Sequence, residues 1–343
     1  MAPIKLIIDT DPGIDDAMAI LAALNATEEV EVLGITTVFG NVPTAVATRN
    51  ALRLSALAGG SVPVAQGASF ALNGALKQHV ADFVHGKDGF GNTTIGKEDK
   101  EAEETEAPSD GGEREGAPSS SSSSSPLLPI PAAQFIVEQV NRYPGEVSVL
   151  ALAPATNVAL ALMLDPALPA KARSLVFLGG AFFRMGNVTP AAEANCWGDP
   201  EAADLLFKRW SGMRVLGLDV THRCVLSRAR VDALAGRGRH GTFLRDISQF
   251  YLAYHAESYD GMQGVFVHDA AAFVAVVRPE LFEWTRGSAR VATVAPFRGR
   301  TLLDDGSKKW YGPNDWQGIA EIHVATGVDA EQVVDLVERW MQA

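Results

Sequence analysis

Apolar residues in this chain fall into short continuous runs, VEVLGITT at 30–37, VSVLAL at 147–152 and SLVFL at 174–178, separated by segments with helical spacing. A run that is apolar at successive positions suits a strand covered on both faces. The pattern predicts strands over Ile4–Ile8, Val30–Thr37, Val147–Leu152, Ser174–Leu178 and Arg214–Leu218. Helices are predicted over Asp15–Asn25, Thr44–Leu57, about Ala132 to Asn141, from Thr156 onward, and over Pro200–Phe207. Strand and helix alternate, so the expected fold is α/β: one large domain with a mostly parallel central sheet flanked by helices. In such sheets ligands bind at the carboxyl ends of the strands.

Polar residues gather at those ends. The first strand runs into Asp9 and Asp11, the second into TTVFGN with Asn41, the third into ALAPATN and the fourth into GGAFFRMGNVTPAAEAN. GLDVTH follows the fifth, and VFVHDAAAF places His268 and Asp269 before a later apolar helix.

One segment breaks the rhythm. Residues 96–126 contain few apolar side chains and end in a run of serines, too little burial to offset ordering entropy, so a disordered loop insertion is expected within a 1–343 domain. Positions 97–115 carry nine acidic residues against three basic ones, half of the chain's formal net charge of −12. The acidity is therefore partly local, and no basic, aromatic-interleaved stretch suggests a nucleic-acid partner. No run of about 18 uncharged apolar residues suggests a membrane span. The first residues lack a signal peptide's apolar stretch and cleavage site, so a soluble, cytoplasmic protein is expected. Cys196 and Cys224, without a CxxC pair, read as reduced thiols.

IIDTDPGIDDAMAI, residues 7–20, concentrates Asp9, Asp11, Asp15 and Asp16 where the core begins. Asp15 and Asp16 fall in a first helical turn, where the dipole favours negative charge by about 0.3–1 kcal/mol each, too little to offset four clustered carboxylates. Either some are protonated or a cation binds, and oxygen-only ligands select a hard ion such as Ca²⁺ or Mg²⁺. The spacing is not an EF-hand, because Pro12 and Gly13 interrupt it and Ile20 stands where the bidentate Glu belongs. Gly13 also departs from the DxDx[TV] pattern of haloacid-dehalogenase phosphotransferases.

DTDPGIDDAMAI, GITTVFGN, APATN, LGGAFFRMGN with EAN, GLDVTH and VHDAAA together resemble, in order, the motifs of the inosine/uridine-preferring nucleoside N-ribohydrolase family. The resemblance covers nearly the whole chain outside the insertion. It implies the nucleoside hydrolase fold and Ca²⁺-dependent hydrolysis of ribonucleosides to free base and ribose, in a homodimer or homotetramer. Asp11, Asp16, Asp269 and the carbonyl of Leu152 resemble the Ca²⁺ ligands, with Asp11 also the general base. Asp15 resembles the ligand of the ribose 2′-hydroxyl, and Asn41, Asn187, Glu193, Asn195 and Asp269 those of the other sugar hydroxyls. Asp9 is similar to the residue that orients this site. His268 resembles the leaving-group acid; Tyr251, Tyr254, His255 and Tyr259, on an expected helix before it, are candidates to contact or protonate the base; and His85 lies in a stretch resembling the family's lid. Asp219 and His222 read as bracing residues. Ala153, Ala155 and Ala270 depart from common family residues without removing a ligand. The alternative, a retired nucleoside- or metal-binding module, would be marked by a missing ligand, and none is missing.

Overall fold

The computed structural model describes residues 2–75, 80–93 and 127–343. The expected 96–126 insertion lies outside them.

Among the described residues nine strands form one sheet: β1 (Ile4–Thr10), β2 (Val30–Thr37), β3 (Val64–Gln66), β4 (Val147–Ala151), β5 (Ser174–Leu178), β6 (Arg214–Leu216), β9 (Phe282–Val291), β10 (Thr301–Asp304) and β11 (Glu321–Val328). A separate antiparallel pair joins β7 (Val225–Ser227) to β8 (Gly264–Phe266). The large sheet runs β10-β9-β11-β6-β5-β4-β1-β2-β3. From β3 through β11 neighbours are parallel, and β9 and β10 turn antiparallel at the edge.

The continuous apolar runs have the expected cause. Leu6 and Ile8 enter one core and Ile7 the other; Val149 and Leu150, and Leu175 and Val176, likewise split between the two faces. Helices Ile14–Asn25, His268–Val277 and Ala330–Met341 cover one face. Ala132–Arg142, Thr156–Leu164 and Pro200–Arg209 cover the other.

From β1 the chain moves to β2 on one side, and it later returns to β4 on β1's other side. This reversal of strand order opens a crevice at the carboxyl ends of β1 and β4. Asp9, Asp11 and Leu152 stand there, and the Leu152 N–H donates to the Asp9 carbonyl at 2.8 Å.

The predicted strand to Leu218 is shorter than expected. It stops at Leu216, and Leu218–Thr221 forms a helical turn whose Asp219 carboxylate accepts the backbone N–H groups of Phe182 and Phe183 at 2.9 and 2.8 Å. Asp219 thus braces the loop after β5. Among the described residues no helix is long and apolar enough to cross a membrane.

Candidate active site

β1 delivers the acidic cluster. Pro12 and Gly13 turn the chain out of the strand, and the helix Ile14–Asn25 starts with Asp15 and Asp16 in its first turn. Asp16 accepts the Gly13 N–H at 2.9 Å, a bond from the Thr10 hydroxyl, and the Asn41 side-chain amide at 3.0 Å. It therefore anchors the turn while remaining part of the cluster. Asp11 accepts the Asn41 backbone N–H at 2.6 Å. Asp9 lies deeper: its Oδ1 accepts the Thr36 hydroxyl at 2.6 Å and the Asn157 amide at 2.8 Å. Asn157 also donates to the Thr37 carbonyl and accepts the Ala68 N–H, so one side chain ties together the ends of β1, β2 and β3.

The fold brings Asp269, first-turn residue of the helix His268–Val277, onto this cluster. Carboxylate oxygens of Asp15, Asp16 and Asp269 lie within 4.8 Å of one another, and all three residues are buried. Burial, and then the charges of Asp15, Asp16 and Asp11, hold the Asp269 carboxyl well above the usual carboxylate range. Burial and the Asp16 charge likewise raise Asp15, while burial pushes Asp9 up to about 6 against the hydrogen bonds of Thr36 and Asn157. Buried carboxylates strained in this way, with oxygen donors alone, fit a hard divalent cation.

Above the cluster opens a cavity of about 380 Å³. Asp15, Asn41, His85, Leu152, Asn187, Glu193, Asn195, Tyr254, His268 and Asp269 all line it, so ten of the residues expected from sequence converge on one space. Asp9, Asp11 and Asp16 lie beneath it, nearly or fully buried. On one side the Asn195 amide donates to the carbonyls of Leu152 and Leu178, at 2.8 and 3.0 Å. Glu193 caps the short helix Ala194–Gly198 by accepting the N–H groups of Asn195 and Cys196, and it also takes the Gly180 N–H. Asn187, more exposed, accepts the Ala194 N–H at 3.0 Å.

The opposite wall is aromatic. The buried Tyr251 hydroxyl donates to Asp15 at 3.2 Å, and its ring stacks on His85. His85 stands 3.8 Å from Asp15, within ion-pair reach, yet its Nδ1 accepts the Ile14 N–H at 3.1 Å. An accepting nitrogen carries a lone pair, so the pair is a neutral imidazole beside a carboxyl group. His85 is thus buried and tied to the acidic turn. His222 lies flat on Phe266, centroids 4.3 Å apart, and both it and His255 are pushed down to about 4 by burial. Burial first, then the neighbouring His222 and His255, lowers His268 as well.

Tyr251, Tyr254, His255 and Tyr259, the base-contact candidates of the sequence, all stand in the cavity wall, joined by Phe83 and Trp197. Phe83 and Trp197 carry no signal in the sequence that sets them apart from core aromatics. The supports Thr10, Thr36 and Asn157 give none beyond their place inside the motifs.

A parallel α/β sheet whose switch point carries buried carboxylates under an amide-and-aromatic cavity is a built site for a small polar ligand. The sequence profile described as inosine-uridine preferring nucleoside hydrolase matches residues 6–335. Uridine nucleosidase 1 from Arabidopsis thaliana is 46% identical over 336 residues, covering 97% of this chain and 92% of its own. A solved plant nucleoside hydrolase, PpNRh1, superposes with a TM-score of 0.87 at 40% identity, covering 99% of both chains. A purine-preferring ribonucleoside hydrolase from Gardnerella vaginalis follows at TM-score 0.82 and 29% identity, covering 98% of both. The chain belongs to the inosine-uridine preferring nucleoside hydrolase family and is a ribonucleoside N-glycosyl hydrolase.

Proposed function

We propose that this protein hydrolyses the N-glycosidic bond of ribonucleosides with Ca²⁺ as resident ion, and that uridine is among its substrates. The observation that carries the reading is the cluster of Asp15, Asp16 and Asp269 within 4.8 Å, buried at the floor of the cavity. Likeness to a protein named uridine nucleosidase supports the pyrimidine substrate.

The division of labour follows from charge. Breaking the bond between C1′ and the base nitrogen leaves the electron pair on the base and builds positive charge on the sugar, which surrounding carboxylates stabilise. Water oxygen attacks C1′, and Asp11 takes the proton it releases. Asp16 and Asp269 of that cluster would hold the ion together with Asp11 and the Leu152 carbonyl, leaving the third member, Asp15, to take the 2′-hydroxyl. When bound, Ca²⁺ would supply Lewis acidity to the attacking water. Asn41, Asn187, Glu193 and Asn195 contact the remaining hydroxyls, their positions set by the backbone bonds described above. Asp9 supports the floor, His85 and Tyr254 contact the nucleoside, and His268 serves the departing base.

Reducing-sugar release tests the reading with uridine, inosine, xanthosine, adenosine and 2′-deoxyuridine, in Ca²⁺ and after chelation. Uridine should release ribose in Ca²⁺ and lose turnover on chelation. The 2′-deoxy compound should fall in kcat/KM by on the order of 10⁴-fold, because Asp15 is left without its partner. No ribose from any ribonucleoside would leave a binding module in place of an enzyme.

A further inference from the structure

Among the described residues three histidines, His85, His255 and His268, line the cavity, and their Nδ1 partners differ. His255 Nδ1 sits 2.8 Å from the Tyr251 carbonyl, which only accepts, so Nδ1 bears the proton and Nε2 the lone pair. His85 Nδ1 accepts the Ile14 N–H, which puts its proton on Nε2. His268 Nδ1 lies 2.7 Å from Oγ1 of Thr221, a hydroxyl able to donate or accept.

Thr221 resolves that ambiguity. It is fully buried at the end of the turn Leu218–Thr221, and among the described residues His268 Nδ1 is the hydrogen-bond partner of its hydroxyl. Were the imidazole to donate, the buried O–H would be left without an acceptor, an unfavourable state. The hydroxyl therefore donates to Nδ1, and the ring's proton sits on Nε2.

We propose that Thr221 is a positioning residue that fixes His268 as an Nε2–H donor toward the departing base. The inference rests on the reading of His268 as the group that serves that base. As the C1′–N bond breaks, negative charge spreads over the heteroatoms of the leaving ring. An N–H donor stabilises that charge and a ring lone pair opposes it, so the wrong tautomer loses rate even with the ring in place. His255, locked the other way, offers the same cavity an acceptor.

The experiment compares Thr221→Val, Thr221→Ser and His268→Ala in the holoenzyme, with uridine and with 4-nitrophenyl riboside, whose leaving group needs no assistance. Thr221→Val should lower kcat on uridine by roughly 10- to 100-fold with KM little changed, and leave 4-nitrophenyl riboside turnover near wild type. Thr221→Ser should restore uridine turnover. Nitrogen-15 NMR of wild-type protein should show His268 protonated on Nε2, and this holds as a test even if the valine variant fails to fold. Protonation on Nδ1, or wild-type uridine turnover by Thr221→Val beside a slow His268→Ala, overturns the proposal alone. Wild-type turnover by His268→Ala overturns instead the reading of His268 on which it rests.

Discussion

Gly40 lacks a side chain because Asp11 fills the space one would need: a Cβ there would sit 1.6 Å from Asp11 Oδ2. The neighbouring Asn41 N–H holds that same oxygen at 2.6 Å, so neither partner can withdraw without losing a partly buried hydrogen bond. Gly13 plays the same part toward His85, whose Nδ1 would lie 2.7 Å from an added Cβ. Gly40→Ala should therefore displace the proposed base while leaving both cores intact. The expected outcome is a kcat lower by roughly 100-fold, the range for losing general base catalysis, with an unchanged circular dichroism spectrum. Near wild-type turnover would show that Asp11 acts from some other position.

Helix Pro200–Arg209 is clamped to β9 through one buried carboxylate. Asp204 accepts Arg290 Nε at 2.7 Å, the Val291 N–H at 3.0 Å and pairs with Lys208 at 2.7 Å. Burial alone would raise its pKa, but these partners outweigh burial and the net shift is downward. A carboxyl whose folded pKa is depressed contributes stability above its unfolded value, near 3.8, and loses it as pH falls through the folded value. Thermal melts of Asp204→Ala should show a deficit of roughly 2–4 kcal/mol at pH 7, below that of a fully enclosed pair because Arg290 is partly exposed. The deficit should shrink below pH 4; one that stays constant with pH would remove the ionic account. The same strand shows where sequence reading stops. β1, β2, β4 and β5 are legible because strands covered on both faces must be apolar throughout. In FEWTRGSARV of β9, Arg286 and Arg290 keep the alternation, on the less buried positions beside Gly287, Ala289 and Val291, but nothing in the strand announces that Arg290 meets Asp204 on a helix far earlier in the chain. The site divides in the same way. Carboxylates packed into one turn announce themselves by their mutual repulsion. Asn157 and Thr221 act through partners that only the folded chain supplies, and an isolated Asn or Thr in a motif carries no mark of them.

At the scale of the molecule, the acidic floor joins two helices whose first turns lie roughly 250 residues apart in the chain, Ile14–Asn25 and His268–Val277. They already share one core, so apolar burial has brought Asp15, Asp16 and Asp269 together against their repulsion. Burial first and then these charges raise the Asp269 carboxyl, and a bound cation opposes both by attracting all three groups at once. Because the unfolded chain cannot gather these residues, a cation that binds the folded state adds about 2.7 kcal/mol at 100 times its Kd. Differential scanning calorimetry should show Tm rising by several degrees when Ca²⁺ is added to chelated protein. Asp269→Asn should separate the two effects. Without Ca²⁺ its Tm should equal or exceed wild type, because one repelling charge is gone, and with Ca²⁺ most of the increment should disappear together with turnover. An undiminished Ca²⁺ increment in Asp269→Asn would place the ion elsewhere. A large loss of stability without Ca²⁺ would mean that Asp269 holds the two helices together by its own hydrogen bonds.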